Sequence, residues 1–155
     1  MHIQQVLVPV DYSHCSRTAL RFAVDLAQKL QASLDVVHVW DRPSYVSDAV
    51  MVTHPDRGGS SLPEFIQQNA QRDMDQFLKE TELPGGFTAV GRLISGDPAS
   101  SLLKELKAGK HQLVVVGTHG RTGLSLLLLG SVAEKLTRLS PVPVLTVPDP
   151  ETKSR

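Results

Sequence analysis

Residues 113–132 read LVVVGTHGRTGLSLLLLGSV, which is a short apolar run, a segment punctuated by glycines, and then the start of a helical pattern. The apolar run at 113–116 is typical of a strand that is buried on both faces of a parallel sheet. Glycines allow the following backbone to turn sharply and approach a ligand, and the N–H groups exposed in such a turn can hold phosphate oxygens. Gly130 and Ser131 open a predicted helix at 131–139, whose N-terminus adds free N–H groups and the positive end of the helix dipole. The segment therefore predicts a strand, an anion-binding turn and a helix in succession.

Strands and helices alternate along the rest of the chain. Further strands are predicted at 6–10, 34–40, 87–94 and 142–147. The segments between them carry apolar residues at helical spacing. This alternation is typical of one α/β domain, here 1–148, built as an open, mostly parallel five-stranded sheet with helices on both faces. Residues 41–62 show no period and are predicted to form a long surface loop, and residues 149–155 are predicted to form a C-terminal tail.

A ligand site is expected where the strand order reverses, beyond the carboxyl ends of the strands. We take the order as 3-2-1-4-5, counting the predicted strands along the chain, so that the first and fourth strands flank the crevice. The first strand ends at Asp11 and the fourth ends at Gly117. Asp11 can accept a hydrogen bond from adenine or ribose, or it can cap the next helix. His119 can donate to a phosphate, or it can be a solvated loop residue, and no residue is predicted to be catalytic.

The composition excludes several classes of partner. The 155 residues carry 16 basic and 16 acidic side chains, and this balance argues against nucleic acid. Cys15 is the only cysteine, so no disulfide can form within one chain, which predicts a reducing, cytoplasmic location. No signal peptide and no apolar run of ~20 residues is present, so no membrane span is expected. The six histidines show no paired ligand spacing, so no metal held by protein side chains is predicted.

The glycine segment differs from the P-loop pattern and from G-x-G-x-x-G, but it resembles the universal stress protein family. The nucleotide-binding branch of that family carries glycine, two residues, glycine, nine residues, then glycine and Ser or Thr. The matching positions are Gly117, Gly120, Gly130 and Ser131. Residues 8–13, 37–39, 96–98 and 141–145 resemble further segments of the family. The likeness therefore spans nearly the whole chain.

The resemblance implies a regulatory or sensor protein of the stress-response type that binds ATP, or ADP or AMP. A Mg²⁺ or Mn²⁺ ion can arrive with such a nucleotide and would be held mainly by its phosphates. It assigns the adenine and ribose end to Pro9, Val10, Asp11 and Val39. It assigns the ribose and first phosphate to the backbone of Val116 and Gly117, and the phosphates to Gly120, Gly130, Ser131 and Val132. His119 completes the predicted nucleotide-binding set.

The sequence is also compatible with other functions. The chain is alternatively a slow ATPase or phosphotransferase, a phospho-receiver module, or an interaction-only partner of a transporter or kinase. No Walker lysine and no obvious base for water is present, so any hydrolysis is expected to be slow. A receiver needs a lysine on its last strand, and residues 142–147 contain none.

The last predicted strand also suggests an oligomer. Pro143 has no N–H for a sheet ladder, which predicts an edge strand. Because a short apolar edge needs cover, we predict a homodimer that pairs residues 142–147 of two copies, and the family resemblance points the same way.

Overall fold

Two layers of helices enclose a parallel sheet in the computed structural model, which describes residues 2–40, 51–54, 58–119 and 129–149. The strands are β1 Gln5–Pro9, β2 Ser33–Trp40, β3 Met51–His54, β4 Gly58–Ser61, β5 Gly91–Ser95, β6 Leu113–Gly117 and β7 Val144–Val147. The helices are α1 His14–Leu30, α2 Leu62–Glu80, α3 Pro98–Lys107 and α4 Ser131–Leu139, with a 3₁₀ turn at Pro84–Gly86.

The main sheet has five strands in the order β5-β2-β1-β6-β7, and every neighbouring pair is parallel. Counted over the five predicted strands, this is the order 3-2-1-4-5, so the predicted architecture is confirmed. The chain runs from central β1 outward through β2 to β5 and then returns to β6 on the other side. The order therefore reverses between β1 and β6. The strand after Pro143, β7, lies at one edge of the sheet, as predicted.

Alternate residues of β1 supply the core on both faces of the sheet. Val6 and Val8 pack in one buried cluster with Leu20 of α1, whereas Leu7 packs in a second cluster with Leu102 of α3. All five of these side chains are at most 1% exposed. Successive strand residues point to opposite faces, so one apolar run can contact both helical layers. This is why the central strands read as continuous apolar runs instead of alternating ones.

A charged network ties α3 to the sheet. Arg92 of β5 donates two hydrogen bonds of 2.7 Å to the Asp35 carboxylate of β2 and one of 2.6 Å to Glu105 of α3. Nε2 of the buried His111 lies 2.7 Å from the same Asp35 carboxylate. Burial opposes ionisation of Asp35, but the hydrogen bonds from Arg92 and His111 outweigh it and hold the pKa of this carboxyl below its usual value.

The segment after β2 differs from the predicted long loop. Its described residues form an antiparallel hairpin of β3 and β4, in which Met51 pairs with Ser61, and Leu62 already begins α2. The sequence of β4 is GGSS, which has low strand propensity and shows no strand pattern. Pairing with β3 and packing of both strands against α2 stabilise these strands. The rest of 41–62 lies outside the described residues.

One predicted strand boundary is also wrong. The third predicted strand begins at Gly91 instead of 87, and the apolar side chain of Val90 is 83% exposed. Asp149, the first residue of the predicted tail, is buried, and its Oδ2 lies 2.9 Å from Nδ1 of His14 at the start of α1. This contact fixes the chain just beyond β7, while residues 150–155 lie outside the described part.

Candidate functional site

A cavity of about 250 Å³ lies at the carboxyl ends of β1, β2 and β6, beneath the N-terminal ends of α3 and α4. It is lined by Pro9, Val10, Asp11, Ser16, Val37, Val39, Pro98, Leu102, Val116, Gly117, Thr118, His119, Gly130, Ser131, Val132 and Ala133. This is the position that the reversal of strand order predicts for a ligand crevice.

Every predicted site residue that the structure describes lines this one cavity. The residues near the ends of β1 and β2 form one wall, and Gly117, His119 and the start of α4 form the other. Gly120 lies outside the described residues. The fold thus brings together residues that are separated by more than a hundred positions in the sequence, because parallel strands present their carboxyl ends at the same edge of the sheet.

Close packing against Cys15 requires a glycine at position 117, which also lines the cavity. A Cβ atom at this position would lie 2.8 Å from Sγ of Cys15 and 3.1 Å from the Cys15 carbonyl oxygen. Any side chain here would therefore force α1 away from the end of β6. The glycine allows the first turn of α1 to approach the strand closely, and Gly117 itself and Ser16 of α1 both line the cavity.

The N-terminus of α4 differs from those of α1 and α3. Ser13 and Asp97 cap α1 and α3 by accepting from the backbone N–H groups of Ser16 and Ser100, at 3.2 and 2.9 Å. The N-cap of α4 is Gly130, which has no side chain to do this, and its own N–H donates to the Thr118 carbonyl at 2.7 Å.

The first backbone N–H groups of α4 therefore lack a side-chain cap in the described part of the chain. Ser131, Val132 and Ala133 all line the cavity, and among the residues that the structure describes no side chain caps them. Uncapped N–H groups and the positive end of the helix dipole together favour an anion at this point.

Asp11 has a local structural role and also faces the cavity. Its Oδ1 accepts hydrogen bonds from the backbone N–H of Ser13 at 3.1 Å and from the Ser13 hydroxyl at 2.5 Å. The Ser13 hydroxyl oxygen in turn accepts from the N–H of Ser16 at the start of α1. Asp11 thus supports the cap of α1 while it contributes to the cavity wall, so the two roles weighed from the sequence are compatible.

His119 forms a hydrogen bond with the preceding residue, Thr118. Its Nδ1 lies 2.9 Å from the Thr118 hydroxyl, while Nε2 is buried and has no hydrogen-bond partner in the described part of the chain. Among the described lining residues, Asp11 is the one carboxylate and there is no lysine or arginine. The polar chemistry of these walls consists of hydroxyl groups, one imidazole, one carboxylate and backbone N–H groups.

Some lining residues were not predicted from the sequence. They are Ser16, Val37, Pro98, Leu102, Thr118 and Ala133. Val37 precedes Val39 by two positions and therefore faces the same side of β2, so the strand period could have identified it. Pro98 and Leu102 come from α3, and their contribution depends on how that helix crosses the sheet, which no local pattern indicates.

The model of the universal stress protein family matches residues 2–148. The chain belongs to this family. The universal stress protein YxiE of Bacillus subtilis is 34% identical over 150 residues, covering 92% of this chain and 97% of the relative. None of the helices among the described residues combines the length and apolar character needed to cross a bilayer.

Solved structures of universal stress proteins have the same fold. One, in complex with cAMP, is 24% identical with a TM-score of 0.61 and covers 95% of this chain and 98% of that chain. Another, from Archaeoglobus fulgidus in complex with dAMP, is 16% identical with a TM-score of 0.56 and covers 94% and 98%. These likenesses concern the fold. Together with the family match, they identify a domain architecture in which adenine nucleotides bind to some members.

Proposed function

We propose that this universal stress protein binds an adenine nucleotide, ATP or a close analogue such as ADP or AMP, in the cavity at the carboxyl ends of β1 and β6. The observation that carries the proposal is the uncapped N-terminus of α4, which meets an apolar recess in the same cavity. Nucleotides combine a flat apolar base with an anionic phosphate chain, so both halves of the ligand find a matching surface.

The base and ribose are assigned to the end formed by β1, β2 and α3. Val37 and Val39 supply the apolar wall on one side, and Leu102 supplies it on the other. Asp11 lies at this end and offers carboxylate oxygens to a ribose hydroxyl or to the adenine amino group. The cavity is slightly smaller than the range of about 300–1,000 Å³ that is common for ligand pockets, which favours a compact ligand over a dinucleotide.

The phosphates are assigned to the start of α4. The N–H groups of Val132 and Ala133 and the hydroxyl of Ser131 are the donors on this side. Gly117 and Gly130 leave room for the phosphate chain because neither carries a side chain, and Gly120 belongs to the same predicted set. A Mg²⁺ or Mn²⁺ ion would be held mainly by the phosphates.

We infer a regulatory or sensory role rather than rapid phosphoryl transfer. Known phosphotransfer sites use lysine, arginine or a bound metal to stabilise the charge that develops on the transferred group. The described walls contain no lysine or arginine. Nucleotide occupancy would then bias a conformation or a partner surface.

The first experiment is to denature the purified protein and identify any released nucleotide by chromatography. ATP, ADP, AMP and GTP are then titrated into the nucleotide-free protein by calorimetry. Binding of the adenine nucleotides with weaker binding of GTP supports the proposal. Absence of both released nucleotide and titration heat would contradict it and favour a function through protein partners alone.

We also propose that two copies form a homodimer through the edge of β7 that no other strand among the described residues pairs with. The backbone groups of Val147 and Pro143 face β6, since their carbonyls accept from Thr118 and Val114. The groups of Val144 and Thr146 therefore face away from β6 and are available to a second copy.

A further inference from the structure

Tyr12, directly after Asp11, has a backbone conformation that aromatic residues seldom adopt. Its φ angle is +66°, in the left-handed region. Steric contact between Cβ and the backbone disfavours this region for every residue except glycine, and a bulky side chain there signals a constraint from the surrounding structure. The turn that leads from β1 into α1 therefore has to be stabilised by contacts with the rest of the structure.

The contacts of the Tyr12 aromatic ring stabilise this turn. The ring stacks on the imidazole of His38, with ring centroids 4.2 Å apart and an interplanar angle of 27°, and it packs at 5.3 Å against the ring of Phe77. Phe77 is only 2% exposed, and Arg17 lies over its ring at 4.8 Å. The ring of Tyr12 is thus clamped between β2 and α2.

His38 also fixes the backbone on the other side of Asp11. Its Nδ1 lies 2.8 Å from the carbonyl oxygen of Val10, so the ring nitrogen donates to this carbonyl. The N–H of Val10 donates to the carbonyl of Val37, also at 2.8 Å. Asp11 is therefore held between two fixed residues, with Val10 bonded to β2 and Tyr12 clamped by its ring.

We propose that Tyr12 is a positioning residue for the nucleotide site: its ring, held between His38 and Phe77, maintains the left-handed turn that sets the Asp11 carboxylate against the cavity. This inference rests on the proposed function, because it assumes that Asp11 contacts the ligand. Tyr12 itself acts from behind the cavity wall, as its ring contacts are with β2 and α2. Since Tyr12 is not among the described residues that line the cavity, we expect its effect on the ligand to pass through Asp11.

A double-mutant cycle tests this dependence, with ATP as the probe and the full chain as the protein. Tyr12→Ala and Asp11→Ala are each expected to weaken ATP binding by about tenfold, and the double variant is expected to bind no more weakly than Asp11→Ala, since coupled residues are not additive. Tyr12→Phe keeps the ring and is expected to retain more of the ATP affinity than Tyr12→Ala. Additive losses in the double variant would overturn the proposal, because Tyr12 would then act independently of Asp11.

A second variant separates loss of the ring from loss of folding. Tyr12→Gly adopts a positive φ without strain but has no ring to clamp the turn. It is expected to fold, as checked by circular dichroism, and to bind ATP more weakly than Tyr12→Phe. If Tyr12→Gly binds ATP like the wild type while Asp11→Ala does not, the positioning role is refuted and the proposed function stands. If the wild type binds no nucleotide, the proposed function itself fails.

Discussion

Replacing Gly130 by aspartate is expected to stabilise the protein while it removes nucleotide binding. Gly130 has φ −59° and ψ 149°, which are the backbone angles of an ordinary N-cap residue, so an aspartate can adopt them without backbone strain. Its carboxylate can accept from the N–H of Val132 or Ala133, the groups that are assigned here to the phosphates. The side chain would act as an internal competitor for the ligand.

The magnitudes follow from this geometry. A better N-cap gains a few tenths of a kcal/mol over glycine, and a negative charge at a helix N-terminus adds about 0.3–1 kcal/mol. The sum of roughly 1 kcal/mol raises the Tm of a domain of this size by about 2–4 °C. For binding, two like charges at ~4 Å repel by about 4 kcal/mol at the effective dielectric of a protein surface, so ATP affinity should fall by at least about a hundredfold.

Two comparisons test whether the negative charge at position 130 causes the loss of ATP binding. Gly130→Asn has the same size and capping strength but no charge, so it should bind ATP more tightly than Gly130→Asp. Adenosine, which has no phosphate, should bind the wild type and Gly130→Asp equally. Calorimetry with both ligands and thermal unfolding of the nucleotide-free proteins provide the measurements. ATP affinity of Gly130→Asp within about threefold of the wild type would refute the assignment of the phosphates to α4.

Three other predictions concern the fold and the assembly. Asp35→Asn should destabilise the protein by about 1–3 kcal/mol at pH 7, because Arg92 then keeps, among the described residues, only the Glu105 carboxylate as a charged partner. Since folding lowers the pKa of Asp35, this contribution is present above about pH 4 and is lost as the pH falls through the lowered value, which urea unfolding at several pH values would detect. Gly117→Ala should destabilise by about 1–3 kcal/mol through overpacking against Cys15, and Cys15→Ala should restore part of this in the double variant. Thr146→Pro should give a monomer by light scattering at micromolar concentration, because it removes an N–H at the free edge of β7.

Each of these has a result that would count against it. An Asp35→Asn variant whose stability deficit is the same at pH 3 and pH 7 would mean that ionisation of Asp35 contributes nothing. Independent, additive effects in the Cys15 and Gly117 double variant would locate the strain elsewhere. Thr146→Val keeps the backbone N–H and should remain dimeric, and a wild type that is already monomeric would exclude the proposed dimer.

The five main strands could be predicted because apolar runs are local in the sequence, whereas their order is taken from the doubly wound arrangement, and the position of the cavity follows from that order. The apolar runs identify β1 and β6, and the glycine at 117 marks the end of β6. The hairpin of β3 and β4 could not be predicted in this way, because GGSS has no strand signal and its pairing is a tertiary effect. The contribution of Leu102 to the cavity depends on the path of α3 across the sheet, which is set partly by the contact between Arg92 and Glu105.

The contact between Cys15 and Gly117 makes the single thiol of this chain a native reporter group. Cys15 is 4% exposed, and its Sγ would lie 2.8 Å from a Cβ atom at 117, so a labelling reagent reaches the sulfur when the packing between the start of α1 and the end of β6 opens. The rate of thiol labelling therefore reports how often this packing opens. A ligand that contacts the neighbouring lining residues Ser16 and Gly117 should slow the labelling, which gives a binding assay that needs neither a fluorescent nucleotide nor an engineered probe.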